Sequence, residues 1–324
     1  MNHAESLLDQ VRRSCARVAG QSTRVRVVRE RLPAYLDELP VSPGALPVHD
    51  PDRHWLGHDA GTVAFFMTLD SVNFGSGYFP HLRKRPGHSG YFTVAACLTD
   101  YFRAHGPLPA EALVRLDAAD CGRIFGQDPE NRVTAELMGL FATAWNELGR
   151  HLLDRYGGRF TTLVEAADGS GERLVRLLAE MPLFRDVGTH GGKPVAFYKR
   201  AQLTVADLAL AFGGQGWGRF DDLDRLTIFA DNLVPHVLRL DGVLQYAPDL
   251  AARIDEGSLI ETGSPEEVEL RACAVAAVEE LVALARVAGR ATTAMELDYV
   301  LWNRGQAPAY KQAKPRHRTR TVYY

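Results

Sequence analysis

The sequence predicts a mainly α-helical fold, compact and globular with a minor short hairpin, on three observations. Apolar residues recur at helical spacing over long stretches, most clearly within Arg132–Tyr156. Helix boundaries carry their usual signals, since Ser264 precedes Pro265 at the first helical position and Glu267 at the third. Residues 182–199 break the helical pattern, and their short apolar runs around Gly188-Thr-His-Gly-Gly192 favour a hairpin.

The same signals place the other helices in chain order. Gly157 and Gly158 are predicted to end the long helix, because glycine readily adopts the left-handed conformation that follows many helices. Glycines at 214, 216 and 218 are spaced as in a phosphate loop, but no strand precedes them and no Gly-Lys-Ser/Thr follows, so we predict a turn between helices. The predicted helices cover residues 7–18, 63–72, 92–102, 132–156, a stretch from 201, a stretch from near 221, 265–288 and 293–303.

Composition limits the number of domains and the classes of partner. With 324 residues, 46% of them hydrophobic, we predict one domain over 1–324, with 1–50 as a helical extension and 40–51 as the only plausible hinge. A net charge of −3 favours no stable nucleic-acid complex. The four cysteines lie far apart, as reduced structural thiols do, and no apolar run resembles a signal peptide or membrane span. We therefore expect a cytoplasmic protein that does not contact membranes.

Three histidines are the first candidates for chemistry. His54 and His58 have the i,i+4 spacing of a metal-binding helix and His49 lies nearby, but Pro51 and Gly57 interrupt any helix there. The glutamate of a metallohydrolase motif is also absent. A solvated loop is favoured over a metal site, so we predict no metal and no other cofactor, while one of these histidines can still contact a ligand.

Two carboxylates and a basic pair are the other candidates. Lys199 adjoins Arg200 at the start of a helix, a place that suits a phosphate, although a surface ion pair is the commoner arrangement. Asp231 follows an apolar stretch just before a helix that we predict to start at Pro235, so it is either an N-cap, the commoner role, or a semi-buried catalytic carboxylate. Asp298 lies in an apolar stripe and, if buried, needs donors such as a purine edge or a core arginine.

Six short motifs together resemble the queuosine salvage protein family. The resemblance extends from about His54 to the terminal Tyr323-Tyr324, and the occurrence of all six motifs in one order is far more specific than any single motif. The motifs are Asp70-Ser-Val-Asn73-Phe74, Ser89-Gly-Tyr91-Phe92, Phe197-Tyr-Lys-Arg-Ala-Gln202, Phe229-Ala-Asp231, Glu267-Val-Glu-Leu-Arg271 and Asp298-Tyr299-Val-Leu-Trp302.

The resemblance implies a reaction. Members of that family are helical glycosidases that need no metal and act on queuosine 5′-monophosphate, so this chain is expected to release queuine and ribose 5-phosphate for salvage after tRNA breakdown. Cleaving an N-ribosyl bond develops oxocarbenium charge at C1′, which an anionic carboxylate about 3 Å away stabilises while it activates water or attacks directly. We assign that role to Asp231.

The resemblance also implies residues that bind the substrate. A 7-deazaguanine has no basic N7 to protonate, so other donors must stabilise the departing base. We expect Lys199, with Tyr198, at the 5′-phosphate, and Asp298 at the guanine-like N1–H and exocyclic amine. Further expected contacts are His54 and Asn303 to the base, Phe229 or Tyr299 as a stacking face, and Asn232 directly after the catalytic residue. Asn73 and Phe74 are expected at the border of the sugar or base, although a helix C-cap explains Asn73 equally well.

Two other functions remain open from the sequence. A non-catalytic carrier would bind free queuine or the nucleotide without cleaving it. A glycosidase or binder acting on intact tRNA would use residues 311–324, which contain five Lys or Arg and no acidic residue. Catalysis that is steeply weakened by salt would favour the tRNA function.

Overall fold

The protein is described here by a computed structural model, which covers residues 5–40 and 46–324. Helices dominate it, so the prediction of a mainly α-helical fold is confirmed. Within the described residues, the strands form only two two-stranded sheets, and no helix is both long and apolar enough to cross a membrane. Part of the expected hinge, residues 41–45, lies outside the described residues.

Helices follow one another along most of the chain, and the four strands lie between some of them. The strands are β1 Val25–Val27, β2 Val187–His190, β3 Lys193–Ala196 and β4 Leu244–Tyr246. The helices are α1 Leu7–Gln21, α2 Leu32–Glu38, α3 Ala60–Ser71, α4 Gly90–His105, α5 Ala110–Leu113, α6 Ala118–Ile124, α7 Arg132–Tyr156, α8 Phe160–Glu165, α9 Gly171–Leu178, α10 Lys199–Ala211, α11 Leu233–Leu240, α12 Pro248–Asp255, α13 Pro265–Val287, α14 Ala294–Gln306 and α15 Pro308–Ala313.

The predicted hairpin is confirmed. Strands β2 and β3 pair antiparallel, with Val187 opposite Ala196 and His190 opposite Lys193. Gly191 and Gly192 connect the strands with φ of 56° and 73°, which glycine adopts without steric cost and which matches the twist of a tight hairpin. Strands β1 and β4 form the other sheet, also antiparallel.

Local signals located the long helices well. Helix α7 has the predicted bounds, with Asn131 as its N-cap and Gly157 in the left-handed conformation at its end. Helix α13 begins after the capping Ser264 and ends just before Gly289. The stretch predicted to be helical from near Asp221 differs, because a short 3-10 turn and an irregular segment precede α11.

The chain divides into two compact units, each described by itself. The first, unit 1, contains the described residues up to Pro47 together with Asp186–Gln202 and Asp222–Arg320. In it α13 packs against α1 and α11 packs against α14. The second, unit 2, contains Val48–Arg185, Leu203–Asp221 and Thr321–Tyr324, with α7 packed against α3, α5 and α6. The expectation of a single domain stays a prediction.

Two glycines of α7 differ in the space around them. A Cβ on Gly149 would lie 2.7 Å from the backbone oxygen of Ala110 in α5, so a glycine is needed where these helices meet. A Cβ on Gly139 would meet nothing within 4 Å. The close approach of α5 to α7 in unit 2 therefore depends on Gly149.

We predict opposite effects for the same substitution at these glycines. Gly149→Ala should lower the free energy of unfolding by about 1–3 kcal/mol, because the backbone of α5 must move. Gly139→Ala should raise it by about 0.5–1 kcal/mol, because alanine favours the helix and restricts the unfolded chain. Urea denaturation of both variants measures these free energies of unfolding. The predicted packing would be refuted if Gly149→Ala did not lower the free energy of unfolding by more than Gly139→Ala changes it.

Candidate functional site

The candidate site is built on residues 226–231, the site segment, which is irregular and buried. Thr227, Phe229 and Ala230 are each at most 4% exposed, yet the segment belongs to no strand. Buried backbone N–H and C=O groups require hydrogen-bond partners, and a segment outside the sheets and helices must find them elsewhere. Here side chains from helices of unit 1 provide them.

Gln202 of α10 holds the beginning of the site segment. Its Oε1 accepts from the backbone N–H of Thr227 at 2.8 Å, and its Nε2 donates to the carbonyl oxygen of Phe197 at 2.9 Å. The side-chain amide thus pairs with backbone groups as a neighbouring strand would. This ties the site segment to the residues just before α10.

Arg271 of α13 holds the end of the site segment. Its Nε donates to the carbonyl oxygen of Ala230 at 2.9 Å, and its two terminal nitrogens donate to the carboxylate of Asp186 at 3.0 and 2.5 Å. Glu267 accepts from the same guanidinium at 3.3 Å, and the ring of Phe197 lies 3.9 Å from it. All these partners are needed because a buried charge without them is costly.

Asp186 connects Arg271 to the start of α10. Its carboxylate accepts from the backbone N–H of Lys199 at 3.2 Å, and its carbonyl oxygen accepts from the N–H groups of Phe197 and Tyr198. Tyr198 has a φ of 50°, a left-handed conformation that costs a non-glycine residue about 1–3 kcal/mol. These hydrogen bonds hold the strained turn and place Lys199, 6% exposed, at the first position of α10.

Asp298 of α14 binds the middle of the site segment. Its Oδ1 accepts from the N–H of Phe229 at 2.9 Å, and the residue is 3% exposed. Burial, and then the negative charge of Asp231, raise the pKa of Asp298 well above its usual value, against smaller opposing effects of the Phe229 N–H and Lys199. Asp231 is therefore close enough to affect Asp298, which holds its proton more tightly than an exposed aspartate does.

Asp231 caps α11 with one carboxylate oxygen. Its Oδ1 accepts from the N–H groups of Leu233 at 2.7 Å and Val234 at 3.1 Å. Its Oδ2 accepts no hydrogen bond from any residue in the described part of the chain, and the side chain is only half-buried. Asn232 is the N-cap residue by position, so Asp231 caps the helix from one residue earlier than expected, and its second oxygen can still face a ligand.

The chain after α15 runs beside the site segment. The Nδ2 of Asn232 donates to the carbonyl oxygen of His317 at 3.0 Å. The backbone N–H of Ile260 donates to the carbonyl oxygen of Arg318 at 2.8 Å. His317 is 1% exposed, and burial lowers its pKa to about 3, so it is neutral at physiological pH. The amide of Asn232, predicted to contact substrate, therefore anchors this C-terminal segment.

The remaining predicted residues of unit 1 lie on α14. The rings of Phe229 and Tyr299 are 5.9 Å apart between centroids and nearly perpendicular, so Tyr299 covers one side of the site segment. Asn303 is exposed one turn further along the helix. Asp298 and Tyr299 are adjacent to the site segment, and contact of Asn303 with a ligand stays a prediction.

Three predicted residues belong to unit 2. His54 is 7% exposed, its ring nitrogens lie 3.1 Å from the Asp50 carbonyl oxygen and 3.4 Å from the Tyr91 hydroxyl, and burial lowers its pKa to about 3. Asn73 donates weakly to Asp70 at 3.5 Å, and Phe74, 1% exposed, packs edge-on against Phe141. Their contacts with substrate stay predictions.

The histidine cluster in unit 2 has no metal-binding geometry in the described residues. The rings of His49 and His54 are 4.6 Å apart, while His58 stacks on Trp55. Across residues 5–40 and 46–324, no group of three or more His, Cys, Asp or Glu side chains is arranged to hold a metal ion. The expectation that the protein needs no metal and no other cofactor stays a prediction. An open recess of ≈ 370 Å³ in this unit is lined by Pro51, His54, Trp55, Leu56, His58 and Arg103.

Three residues that organise the site were not among the predicted site residues. Gln202 and Arg271 occur in the quoted motifs, so their presence there was the available signal. Asp186 occurs in none of the motifs. Its role depends on a contact with Arg271, which is 85 residues away in the chain.

Comparisons with known proteins agree with the motifs. The family described as queuosine salvage protein matches residues 53–324. A Sphaerobacter thermophilus protein named queuosine 5′-phosphate N-glycosylase/hydrolase is 38% identical over 284 residues, covering 86% of each chain. Proteins of the same name from Schizosaccharomyces pombe and Mus musculus are 32% and 35% identical, covering 84% and 83% of this chain and 86% and 83% of their own.

We predict that the Asp186–Arg271 pair contributes strongly to stability. Asp186→Asn should lower the free energy of unfolding by about 3–5 kcal/mol, because the guanidinium of Arg271 stays buried without its main counter-charge. Glu280→Gln is the control, since it removes the partner of Arg29 in an exposed bidentate pair, and should cost less than about 1 kcal/mol. Chemical denaturation compares them, and equal losses would contradict the prediction.

Proposed function

The chain belongs to the queuosine salvage protein family, and from that we propose that it hydrolyses the N-glycosidic bond of queuosine 5′-monophosphate, releasing queuine and ribose 5-phosphate. One structural observation supports the proposal most. The carboxylate of Asp231 has one oxygen fixed by two backbone N–H groups and the other available, beside the buried carboxyl of Asp298.

Asp231 is proposed as the catalytic residue. With its Oδ2 about 3 Å from C1′, the carboxylate would stabilise the positive charge that develops as the bond to the base breaks. It would either attack C1′ or remove a proton from the attacking water. In both courses water supplies the hydroxyl group on C1′ and a proton for the departing base.

Asp298 is proposed to recognise the base. Its Oδ1 is anchored by the N–H of Phe229, so a guanine-like edge with N1–H and an exocyclic amine would supply the remaining donors for a buried carboxylate. Phe229 and Tyr299 offer aromatic surface for stacking. A 7-deazaguanine lacks the basic N7, so protonation at that position cannot assist its departure. The base therefore depends on such contacts.

The other proposed contacts extend the same reaction. Lys199 and the neighbouring Tyr198 are proposed to bind the 5′-phosphate from the start of α10, where charge-assisted hydrogen bonds favour a monophosphate. A cytoplasmic location would suit recovery of the base from degraded tRNA. The remaining proposed contacts with the base or sugar are those of His54, Asn73, Phe74, Asn232 and Asn303.

We predict that Asp231→Asn lowers kcat for queuosine 5′-monophosphate roughly 10²- to 10⁴-fold, because a neutral amide neither stabilises the cation nor activates water. The fold should persist, since the amide oxygen can still accept the two capping N–H groups. Mass-detected chromatography of queuine and ribose 5-phosphate measures turnover, and calorimetry measures retained binding. Asp224→Asn, at an exposed position of unit 1, is the matched control and should leave kcat unchanged.

Three results would redirect the proposal. Unaltered turnover in Asp231→Asn would remove Asp231 from catalysis. Binding of queuine by the wild type without any cleavage of the nucleotide would identify a carrier. Cleavage of intact tRNA in the absence of mononucleotide cleavage would identify a tRNA glycosidase.

We also predict that queuine binding is linked to the proton of Asp298. The pKa of Asp298 is raised in the free protein, and donors on the base favour the ionised form, so binding should lower this pKa and release a proton. Affinity should therefore rise as pH increases towards the raised pKa of the free protein and then level off. Titration calorimetry of queuine binding from about pH 5 to about pH 9 tests this. The Asp298→Asn variant is the control, because it lacks the proton of residue 298 but retains any effect of pH on queuine itself. An identical pH dependence in both proteins would rule out base recognition by Asp298.

A further inference from the structure

The guanidinium of Arg271 divides its donors between two kinds of partner. Its terminal nitrogens face carboxylates, those of Asp186 at 3.0 and 2.5 Å and that of Glu267 at 3.3 Å. Its Nε carries a single hydrogen, which is donated to the carbonyl oxygen of Ala230 at 2.9 Å. Since two carboxylates already balance the charge of one guanidinium, the bond from Nε is more than charge balance requires.

The carbonyl group of Ala230 belongs to the peptide that leads into Asp231. This C=O and the N–H of Asp231 lie in one plane, because the peptide bond does not rotate freely. A charge-assisted hydrogen bond to the oxygen therefore fixes the orientation of the whole plane. The N–H of Ala230 is held as well, by the carbonyl oxygen of Ile228 at 3.1 Å. Together these bonds set the direction in which the chain enters Asp231.

Asp231 is thus restrained at two points. Its preceding peptide is held by Arg271, and its Oδ1 accepts from the N–H groups of Leu233 and Val234 at 2.7 and 3.1 Å. Hydrogen bonds to one oxygen alone would let the carboxylate turn about that oxygen. The restraint from Arg271 is therefore what aims the second oxygen.

The support of the guanidinium is rigid. Arg271 lies in the middle of the buried part of α13, where every residue from 267 to 278 is buried. Helix α13 packs against α1, and the ring of Phe197 lies 3.9 Å from the guanidinium. Groups carried by packed helices keep their positions more precisely than groups carried by loops. Arg271 thus transfers the position of a core helix to the irregular site segment.

We propose that Arg271 is a positioning residue for the reaction, whose Nε orients the peptide before Asp231 and so aims the second carboxylate oxygen at C1′. This inference rests on the proposed function and deepens it. A displacement of about 1 Å at a reacting group costs about 10²-fold in rate, whereas binding of the base depends on other residues. Arg271 therefore acts on kcat rather than on affinity.

The test compares Arg271→Lys with Arg239→Lys. Lysine keeps the positive charge beside Asp186, but without the planar fork it cannot serve the carboxylates and the carbonyl oxygen in one geometry. Arg239 is a matched control in unit 1, since its terminal nitrogens pair with Asp255 at 2.8 and 3.0 Å and it lies over the ring of Tyr246.

Arg271→Lys should lower kcat for queuosine 5′-monophosphate about 10- to 100-fold. Its dissociation constant for queuine should stay within about threefold of the wild-type value. Arg239→Lys should leave both quantities unchanged. The stoichiometry of queuine binding, measured by calorimetry, counts the competent sites, so that a loss of folded protein is not mistaken for a loss of kcat.

Hydrogen exchange tests the positioning without catalysis. The N–H groups of Leu233 and Val234 donate to Asp231, so in Arg271→Lys they should exchange at least about tenfold faster than in the wild type. The N–H of Val243, which donates to the carbonyl oxygen of Leu238 at the other end of α11, should keep its rate. A general loss of stability would instead accelerate all three.

An unchanged kcat per competent site in Arg271→Lys would overturn the proposal, as would an equal loss in Arg239→Lys. A loss of queuine affinity as large as the loss of kcat would also overturn it, because Arg271 would then maintain the whole site. If the wild type does not cleave the nucleotide but the exchange pattern holds, the proposed reaction fails and the positioning of Asp231 stands. If exchange at Leu233 and Val234 is unchanged, the positioning fails.

A second variant keeps the test decisive if Arg271→Lys does not fold. Asp186→Glu retains both charges of the ion pair but lengthens the carboxylate by one methylene, which displaces the guanidinium from Ala230. It should show the same loss of kcat per competent site, the same affinity for queuine and the same faster exchange at Leu233 and Val234. Wild-type values of kcat and exchange in this variant would overturn the proposal.

Discussion

The buried guanidinium of Arg271 is the interaction on which the candidate site depends. It binds the carbonyl oxygen just before Asp231 and the carboxylate that receives the first N–H of α10. A charge in this position requires every one of its partners, because solvent cannot replace them. Since the partners come from separate parts of the chain, satisfying the arginine brings α10, α13 and the site segment into one arrangement.

The site segment shows why this arrangement suits chemistry. A strand in a sheet would have its backbone groups paired by a neighbouring strand, whereas residues 226–231 are paired by Gln202, Asp298 and Arg271. The segment can then end at a half-buried carboxylate instead of continuing into regular structure. The site thus contains two carboxylates in different surroundings. Asp298 is buried and its pKa is raised, whereas Asp231 is partly exposed. Such pairs allow one fold to give different roles to identical groups.

The sequence predicted the parts of the fold whose causes are local. The bounds of α7 follow from its apolar stripe, its capping Asn131 and its terminal glycine, and the β2–β3 turn follows from Gly191 and Gly192. Asp231 and Asp298 could be selected as candidates from their neighbours in sequence, but their mutual effect arises across 67 residues of chain. Asp186 could not be selected, because its partner is 85 residues away. The apolar residues of the site segment were included in a predicted helix, since periodicity does not reveal that distant side chains will satisfy the backbone.

The most direct test of the central claim is a crystal structure of the Asp231→Asn variant with queuosine 5′-monophosphate bound. The claim is that unit 1 places the reacting carboxylate, the base-recognition carboxyl and the phosphate cation around one nucleotide. The predicted result is C1′ beside residue 231, the guanine-like edge on Asp298 and the 5′-phosphate on Lys199. A nucleotide bound with its ribose away from residue 231, or its base away from Asp298, would contradict that claim.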